Sequence, residues 1–590
     1  MYTAPIKDLS FALASVLNIA TLSATSRHAD YSNDIGSAVL TEAARFASEV
    51  LEPTNAPGDR AGAKLTAAGV RTPDGFREAY RQFIDGGWPQ LGIDSEAGGQ
   101  GMPLALATAV EEIWFGANTA LMLCPMLSRG AIEALRLAGS AQLKAKFLPA
   151  LVAGETTGTM NLTESIAGSD LAVIRTRATP TGDHYRIVGQ KIFITYGDHD
   201  FTDNIIHLVL ARIDGAPAGV KGISLFVVPK IIEAADGSHI SNDLHCVSLE
   251  HKLGIHASPT CVMSYGDREG AMGYLVGEAH HGLEYMFIMM NNARLAVGVQ
   301  GIGMAERALQ QATAWARSRI QGRPIGSDGK MPLPIIHHPD VRRMLLTLKA
   351  GVDAMRLLAL YAALQLDGAH SLSDVTQSVT AQRRADLLIP IVKGWSTEWA
   401  TELVSLGVQI HGGMGYIEET GIAQTLRDVR ITSIYEGTTG IQANDLLGRK
   451  LGRDQGAAMY ALLDEAQQEL ALLATTRSCN ITPASDALAA LRDATASILK
   501  QVVESPASAY AVSVPYLMLC GFVLGGWLSA RSAHIATQQL ASIDSDSDFL
   551  NGKVQSARFY AGHVLPQVIA LAHIVKQGGE SVMAAMPELI

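Results

Sequence analysis

No Lys/Arg-rich run stands out in the 590 residues, and the formal net charge is −11. A nucleic-acid binder ordinarily concentrates positive charge on one face, so this balance argues against a nucleic-acid partner. Cysteine is scarce as well. The five thiols (Cys124, Cys246, Cys261, Cys479 and Cys520) are scattered, odd in number and never spaced as a metal or disulfide pair. That usage fits a reducing compartment and buried structural thiols, and no zinc or iron–sulfur centre is expected. Internal repeats and low-complexity tracts are missing too. What is present is a globular composition, 48% hydrophobic and 17% charged, on a chain too long for one ordinary core. Two to four domains are expected.

Two stretches imitate membrane or export signals. Leu9–Leu22 is largely apolar, but Lys7 and Asp8 precede it, Asn18 interrupts it and no strongly basic start leads it. A docked amphipathic helix is the better reading. From Ser505 to Ala530 no residue is charged, which is long enough to span a bilayer. Pro506, Pro515, Ser508, Ser513 and Tyr510 lie within it, however, together with Gly521, Gly525 and Gly526. It reads as a helix buried in a helical domain, with no integral span; a peripheral membrane contact stays open.

The pattern along the chain is helices, strands, helices, then a further helical unit, so the fold class is mainly α with an inserted β domain. Helical spacing runs from about 31 to 154, with glycine punctuation at Gly98-Gly99-Gln100-Gly101. Runs rich in Val, Ile and Phe follow between about 156 and 277: His184–Val188, Ile192–Tyr196, Ile205–Ala211 and Ile223–Pro229. Helical spacing resumes at Gly282 and continues through Arg319, and a stretch at Gly456–Asp486, broken by Pro483, sets off the last helical region. The expected divisions are an N-terminal extension (1–35), a helical domain (36–155), a β domain (156–280), a second helical domain (281–452) and an additional helical domain (453–590).

Chemistry concentrates at Arg430-Ile431-Thr432-Ser433-Ile434-Tyr435-Glu436-Gly437-Thr438-Thr439-Gly440-Ile441-Gln442. A carboxylate stands between an apolar–aromatic pair and a glycine, where a helical pattern begins. In an apolar pocket such a Glu has its pKa raised toward neutrality, which suits a general base. Taken alone, Glu436 reads better as a solvated residue near a helix start, where Glu is common. Upstream stands Met160-Asn161-Leu162-Thr163-Glu164-Ser165-Ile166-Ala167-Gly168-Ser169-Asp170, whose small residues let backbone approach a flat, polar-edged ligand. Then comes Gln190-Lys191-Ile192-Phe193-Ile194-Thr195, where strand alternation would place Phe193 and Thr195 on one face. A β core with an edge Thr explains that pair just as simply. The glycines of Gly298-Val299-Gln300-Gly301-Ile302-Gly303 have no strand before them and the wrong spacing for a nucleotide loop, so they read as close helix packing.

Thr-Glu-x-x-Ala-Gly-Ser-Asp, Lys-x-Phe-Ile-Thr, Gln-x-His-Gly-Gly-x-Gly-Tyr and Ile-Tyr-Glu-Gly-Thr occur in that order. Together they resemble the acyl-CoA dehydrogenase family over about 40–450, and the C-terminal extension resembles its long bacterial branch. The resemblance implies a helical bundle, a β-barrel or sandwich, a second helical bundle and an extra C-terminal helical domain. It implies FAD as cofactor, an acyl-CoA substrate, an electron-transfer flavoprotein as acceptor, a homodimer and a cytoplasmic enzyme of fatty acid β-oxidation. By resemblance, Leu162 and Thr163 would meet the pyrimidine edge of the flavin, and Ser169 its pyrophosphate or the acyl-CoA pantetheine. Phe193 would lie against the ring, with Thr195 near N5. Arg319 and Gln321 would bind FAD phosphates across a subunit interface; Gln409, Gly412 and Gly413 would cradle the adenosine diphosphate; Thr438 and Gln442 would complete the flavin contacts. Asn291, Arg294, Tyr435 and Gly437 would line the substrate. Glu436 would be the catalytic base, since Asn292 and Ala293, at the place some relatives use on the earlier helix, cannot abstract a proton.

There are departures. Phe193 stands where short members carry tryptophan, Met160 where an aromatic is frequent, and Gly440 where Gln or Ser is frequent. Ile325–Pro339 carries an insertion, Gly326-Ser327-Asp328-Gly329-Lys330-Met331-Pro332, before His337-His338-Pro339, which leaves His338 without an assigned role. In the mechanism the resemblance implies, Glu436 removes the α-proton of the thioester as a β-hydride passes to the flavin, giving the trans-2-enoyl-CoA. Two rivals remain in view: a flavin-containing, DNA-associated stress-response relative with little turnover, and an acyl-CoA oxidase. The first needs a positive C-terminal surface, whereas 455–590 carries Asp464, Glu465, Glu469, Asp486, Asp493, Glu504, Asp544, Asp546 and Asp548. The oxidase differs only in oxygen access, which sequence does not decide.

Overall fold

Short apolar runs separated by glycine turns cannot cover their own faces, and here they close on one another. The computed structural model describes residues 2–234, 236–326, 329, 331–475, 482–542 and 545–589. Cys479 and Asp544 lie outside the described residues, as do Ser327, Asp328 and Lys330 of the insertion. Two units are distinguished. One comprises Phe46–Met102 and Asn118–Ala293; the other comprises Met1–Arg45, Pro103–Ala117 and Arg294–Ile590.

The first unit holds the strands: β1 (Lys64–Thr66), β2 (Gly69–Arg71), β3 (Thr157–Asn161), β4 (Arg177–Thr181), β5 (His184–Thr195), β6 (Ile205–Ile213), β7 (Ile223–Pro229), β8 (Ile231–Glu233), β9 (His239–Ser241), β10 (Leu244–Leu249), β11 (Thr260–Tyr265) and β12 (Ala271–Val276). β5 pairs with β12, β12 with β7, β7 with β6, β6 with β4, and β4 returns to β5, so these strands form a closed barrel. Closure removes unpaired edges within that ring. β3 lies parallel on β6, while β11 and then β10 extend outward from β5. Ile187, Val209, Ala211, Phe226, Val228, Met263 and Tyr265 fill the core.

Two expected strands, His184–Val188 and Ile192–Tyr196, are one strand, β5, and it ends at Thr195 because Tyr196 turns left-handed (φ 51). Strict alternation fails near its end. Cys261 faces Ile194 but Met263 faces Lys191, so β5 carries one extra residue, a bulge, and Phe193 adopts φ 60. Lys191 and Ile194, three apart, are both buried, and Phe193 is left 58% exposed. The β1–β2 hairpin, within a region whose spacing reads as helical, was invisible to periodicity because three-residue strands are shorter than any usable repeat. Val70 N donates to Asp198 Oδ2 (3.0 Å) and anchors it.

The second unit is helical. Pro339–Ser371 and Val375–His411 pack side by side, and Ser513–Gln539 lies against both. As far as Ala530, before Arg531, that last helix is formed by the uncharged stretch of the sequence. By length and composition it could cross a membrane, yet 78% of its most apolar window is buried within the protein. Glycine permits the contact: a Cβ on Gly521 would stand 2.1 Å from Trp395 Cγ, and one on Gly394 would stand 2.7 Å from Leu517 Cδ2. The Gly298–Gly303 segment is likewise helical, with Gly298 against Val392 and Gly303 against the Glu112 carbonyl. Gly456–Asp486 differs from expectation. Ala457–Thr475 is a helix, because Met459, Leu462, Leu463, Ala466 and Leu470 recur at helical spacing and are all buried. Pro483 sits in the first turn of Thr482–Glu504, where it costs no hydrogen bond. The N-terminal apolar stretch is docked as short helical turns with Leu9, Phe11, Leu13, Val16 and Ile19 buried.

A buried ionic network ties this unit together. Arg356, 2% exposed, donates through Nε to Glu112 Oε1 (2.9 Å) and through Nη2 to Glu306 Oε2 (2.8 Å). Asp353 accepts from Lys349 (3.0 Å), Lys553 (2.9 Å) and Ser556 (2.8 Å), and Asp8 pairs with both lysines.

Candidate active site

The candidate base stands on a loop whose backbone is unusual in two successive residues. Helix Ile422–Val429 runs into a 3₁₀ turn (Arg430–Ser433), and helix Thr439–Asp445 starts after Thr438, whose hydroxyl caps it. Between them Glu436 has φ 55 and Gly437 φ 86. A left-handed non-glycine residue costs on the order of 1–3 kcal/mol and persists only where its surroundings enforce it. Several side chains do so. Gln442 Nε2 donates to the Glu436 carbonyl (3.1 Å) and the Gly437 carbonyl (3.2 Å), and Lys393 Nζ donates to the same Gly437 carbonyl (2.6 Å). Thr439 Oγ1 donates to Glu398 Oε1 (2.5 Å), and the Tyr435 hydroxyl donates to Gln300. Glycine suits 437, where φ is positive and a Cβ would stand 2.8 Å from Gln442 Nε2.

Glu436 as a residue is half-buried, and desolvation dominates its carboxyl, pushing its pKa up to about 7 against the opposing pull of Lys393 and Arg294. Burial likewise brings Lys393 down to about 7, although Glu436 and Glu398 favour its cation. Arg294, expected along the substrate, is 3% exposed, and its Nη1 donates to Asp445 Oδ2 (2.8 Å). The Tyr435 phenol is raised above its usual value by burial and by the Glu436 charge. The structure therefore brings Arg294, Tyr435, Glu436, Gly437 and Gln442 into one cluster. Arg319 and Gln321 lie just past the helix ending at Ser318, exposed, with Arg319 Nη2 3.4 Å from Gln321 Oε1. Gln409, Gly412 and Gly413 form the exposed end of Val375–His411, and a Cβ on either glycine would meet nothing within 4 Å.

The barrel unit carries Leu162, Thr163, Ser169, Phe193, Thr195 and Asn291. The first two are half-buried and fixed by backbone: the Leu162 carbonyl accepts from Lys191 Nζ (2.9 Å) and the Thr163 carbonyl from Ile192 N (2.9 Å). Ser169 is exposed, the Thr195 carbonyl accepts from Thr159 Oγ1 (2.7 Å), and Asn291 is half-buried in helix Gly282–Ser318. Glu164 holds the segment together. Its carboxylate accepts from Lys191 Nζ (2.9 Å), Arg175 N (2.6 Å), Thr176 N (3.0 Å) and Thr176 Oγ1 (2.6 Å). The Thr-Glu and Lys-x-Phe motifs are thus two halves of one buried ion pair. Lys191→Met should leave Glu164 buried without its cation, costing roughly 3–5 kcal/mol and loosening the 162–170 loop. Urea unfolding of the barrel unit, followed with backbone exchange at 162–176, checks it.

Sequence reasoning passed over Lys393, Gln300 and the Glu164–Lys191 pair. A signal for Lys393 existed: it is the one cation in Leu387-Leu388-Ile389-Pro390-Ile391-Val392-Lys393-Gly394-Trp395. Among the described residues no group of three or more His, Cys, Asp or Glu is placed to hold a metal ion.

Comparison with known proteins bears on the whole length. Four family models match in order: acyl-CoA dehydrogenase N-terminal domain (36–155), middle domain (159–267), C-terminal domain (280–451) and an acetyl-CoA dehydrogenase C-terminal-like domain (460–586). The chain is 46% identical to 3-methylmercaptopropionyl-CoA dehydrogenase of Ruegeria pomeroyi, covering 99% of each protein. It is 33% identical to the broad-specificity linear acyl-CoA dehydrogenase FadE5 of Mycobacterium tuberculosis, covering 99% of this chain and 98% of that one. The fold is shared with Caenorhabditis elegans ACDH-11 solved with C11-CoA, at a TM-score of 0.75 and 20% identity over 100% of this chain and 96% of that one. From end to end, then, the chain belongs to the acyl-CoA dehydrogenase family and is an oxidoreductase acting on acyl-CoA.

Proposed function

We propose that the protein introduces a trans double bond between the α and β carbons of an acyl-CoA thioester, with Glu436 taking the α-proton. The observation that carries this reading is the carboxyl pushed up to about 7 on a loop that four side chains hold in a left-handed turn. A base works best when its pKa lies near the operating pH. Substrate loses the α-hydrogen as a proton to Glu436 and the β-hydrogen as a hydride. FAD, when bound, supplies the hydride acceptor, and an electron-transfer flavoprotein is the proposed onward acceptor.

Features of the chain fit such a group. Phe193 offers an exposed aromatic face on the barrel unit. In the helical unit the buried Gln442 Oε1 has no hydrogen-bond partner among the described residues, and Gly412 and Gly413 leave open space where side chains would stand. Leu162, Thr163, Ser169, Phe193 and Thr195 are the proposed flavin contacts of one unit, and Gln409, Gly412, Gly413, Thr438 and Gln442 those of the other. Arg319 and Gln321 are proposed to reach a flavin phosphate in a second copy, which makes the enzyme a homodimer; an Arg fork suits phosphate. Asn291, Tyr435 and Gly437 are the proposed substrate contacts, with Ser169 toward pantetheine. Arg294, held by Asp445, acts on the substrate region through its charge. As base, Glu436 needs the α-carbon within hydrogen-bond reach, and the thioester oxygen gains from the Glu436 N–H as enolate charge develops.

The relative of 46% identity is named for 3-methylmercaptopropionyl-CoA, so that thioester is the first to test, beside straight-chain acyl-CoAs. Mixed anaerobically with it, the flavin-loaded protein should bleach. A protein that binds flavin but is reduced by no acyl-CoA would overturn the reading. The bleaching rate should rise with pH through about 7 and fall about tenfold per unit below it, because the protonated carboxyl is no base. Rapid-mixing kinetics across pH check that sign; a rate falling as pH rises through 7 would contradict it.

A further inference from the structure

We propose that Lys393 is the positioning residue of the base loop: it fixes the turn that presents Glu436 and supplies the charge that sets the pH range in which that carboxyl works. The inference rests on the reading of Glu436 as the base and names a residue that reading does not require.

Lys393 is fully buried, on a helix turn otherwise made of Leu, Ile, Val, Pro and Trp. A buried ammonium is costly unless its charge and its donors are met, and a Met or Leu would fill the same space without that cost. The ammonium has three donors. Among the described residues it makes one hydrogen bond, 2.6 Å to the Gly437 carbonyl, and no carboxylate lies within ion-pair distance. Its compensation is therefore the carbonyl next to the base together with the fields of nearby anions. Among the described residues, Glu436 and Glu398 favour its cation and Arg294 opposes it. Glu398, on the same helix as Lys393, accepts from Thr439, and Glu402 one turn beyond Glu398 is raised by burial and by the Glu398 charge. From helix Gly282–Ser318 comes Arg294; from the loop come Tyr435 and Glu436; from helix Thr439–Asp445 comes Asp445, which also faces Arg449 at 3.6 Å. Leu517 of helix Ser513–Gln539 packs against the adjoining Gly394.

Two consequences follow from that placement. Lys393 and Gln442 donate to one carbonyl from opposite elements, and that carbonyl follows two left-handed residues, so the turn is clamped just behind the base. In addition, burial pushes Glu436 toward its neutral form, and the Lys393 cation, with Arg294, pulls it back. Once Glu436 has taken a proton, the same cation is left without its anion, which favours releasing that proton. Because Lys393 itself titrates in the same range, the two groups respond to pH as a pair.

The test uses the flavin-loaded protein, 3-methylmercaptopropionyl-CoA, and three variants beside E436Q. K393M removes both donor and charge. Its acid limb for anaerobic flavin reduction should move up by about one pH unit, and its plateau rate should fall about tenfold. The carboxyl infrared band assigned by subtracting E436Q should titrate with the same upward shift, which gives a readout apart from turnover. K393R keeps the charge and should return the limb toward wild type. If K393M does not fold, K393Q removes the charge with a polar side chain and is read in the same way. A limb and carboxyl band that stay put in K393M or K393Q, with only stability lost, overturn the inference while leaving the base reading intact. Undiminished reduction in E436Q overturns the base reading itself.

Discussion

Glu436→Gln should keep the flavin and lose acyl-CoA-dependent flavin reduction by about a thousandfold, within the range that a positioned general base contributes. The amide matches the carboxylate in size, and the clamp on the loop uses backbone carbonyls of 436 and 437 rather than the side chain, so the turn should survive. Stability should move the other way. A carboxyl whose folded pKa lies near 7, above the ordinary 4.5, binds its proton more tightly in the native state. The wild type therefore loses stability as pH rises from the ordinary carboxylate range through 7, and the glutamine variant does not. Near neutral pH the inactive variant should be the more stable protein. Calorimetry on both, across that window, separates a catalytic lesion from a folding one.

Arg356→Met should be among the most damaging substitutions in the helical unit, at roughly 3–5 kcal/mol. Its guanidinium joins Glu112 and Glu306, all three buried, and removing it strands two carboxylates close together. Burial and Glu306 already raise Glu112, against the pull of Arg356, so the variant should recover part of its loss at lower pH as these carboxyls take up protons. Pairing R356M with Glu112→Gln and Glu306→Gln should restore most of the stability, since an apolar or neutral cluster of the same volume needs no cation. A variant no less stable than wild type in urea unfolding would show that the network is not sustaining the unit.

Much of this was legible before any coordinates. Apolar runs such as Ile205–Ala211 and Ile223–Pro229 announce strands because burial on both faces leaves no polar alternation to confuse with a helix. The proposed base stood out because Tyr435-Glu436-Gly437 places a carboxylate beside the residue type a left-handed turn demands. What escaped was non-local or too short. Glu164 and Lys191 stand 27 residues apart and meet only because β5 returns past the 162–170 loop. The bulge at Phe193 is set by pairing with β11, a partner that no window around Phe193 contains. Lys393 was hidden by its apolar neighbours, which made the stretch look like plain core, and Ala457–Thr475 was hidden by the turn-favouring Gly456 before it and Pro483 beyond it.

The apolar helix Ser513–Gln539 has a consequence for the chemistry proposed more than 75 residues before it. Leu517 fills the groove over Gly394, Gly521 seats the Trp395 indole, and Ser513 hydrogen-bonds Asn444 beside Asp445 (3.3 Å). These neighbours flank Lys393 and the helix that follows the base. Shearing off the last region to recover the shorter architecture of the family would thus strip the insulation from behind the proposed proton acceptor. Water would reach the ammonium, screen its field and let the carboxyl drift back toward an ordinary acid.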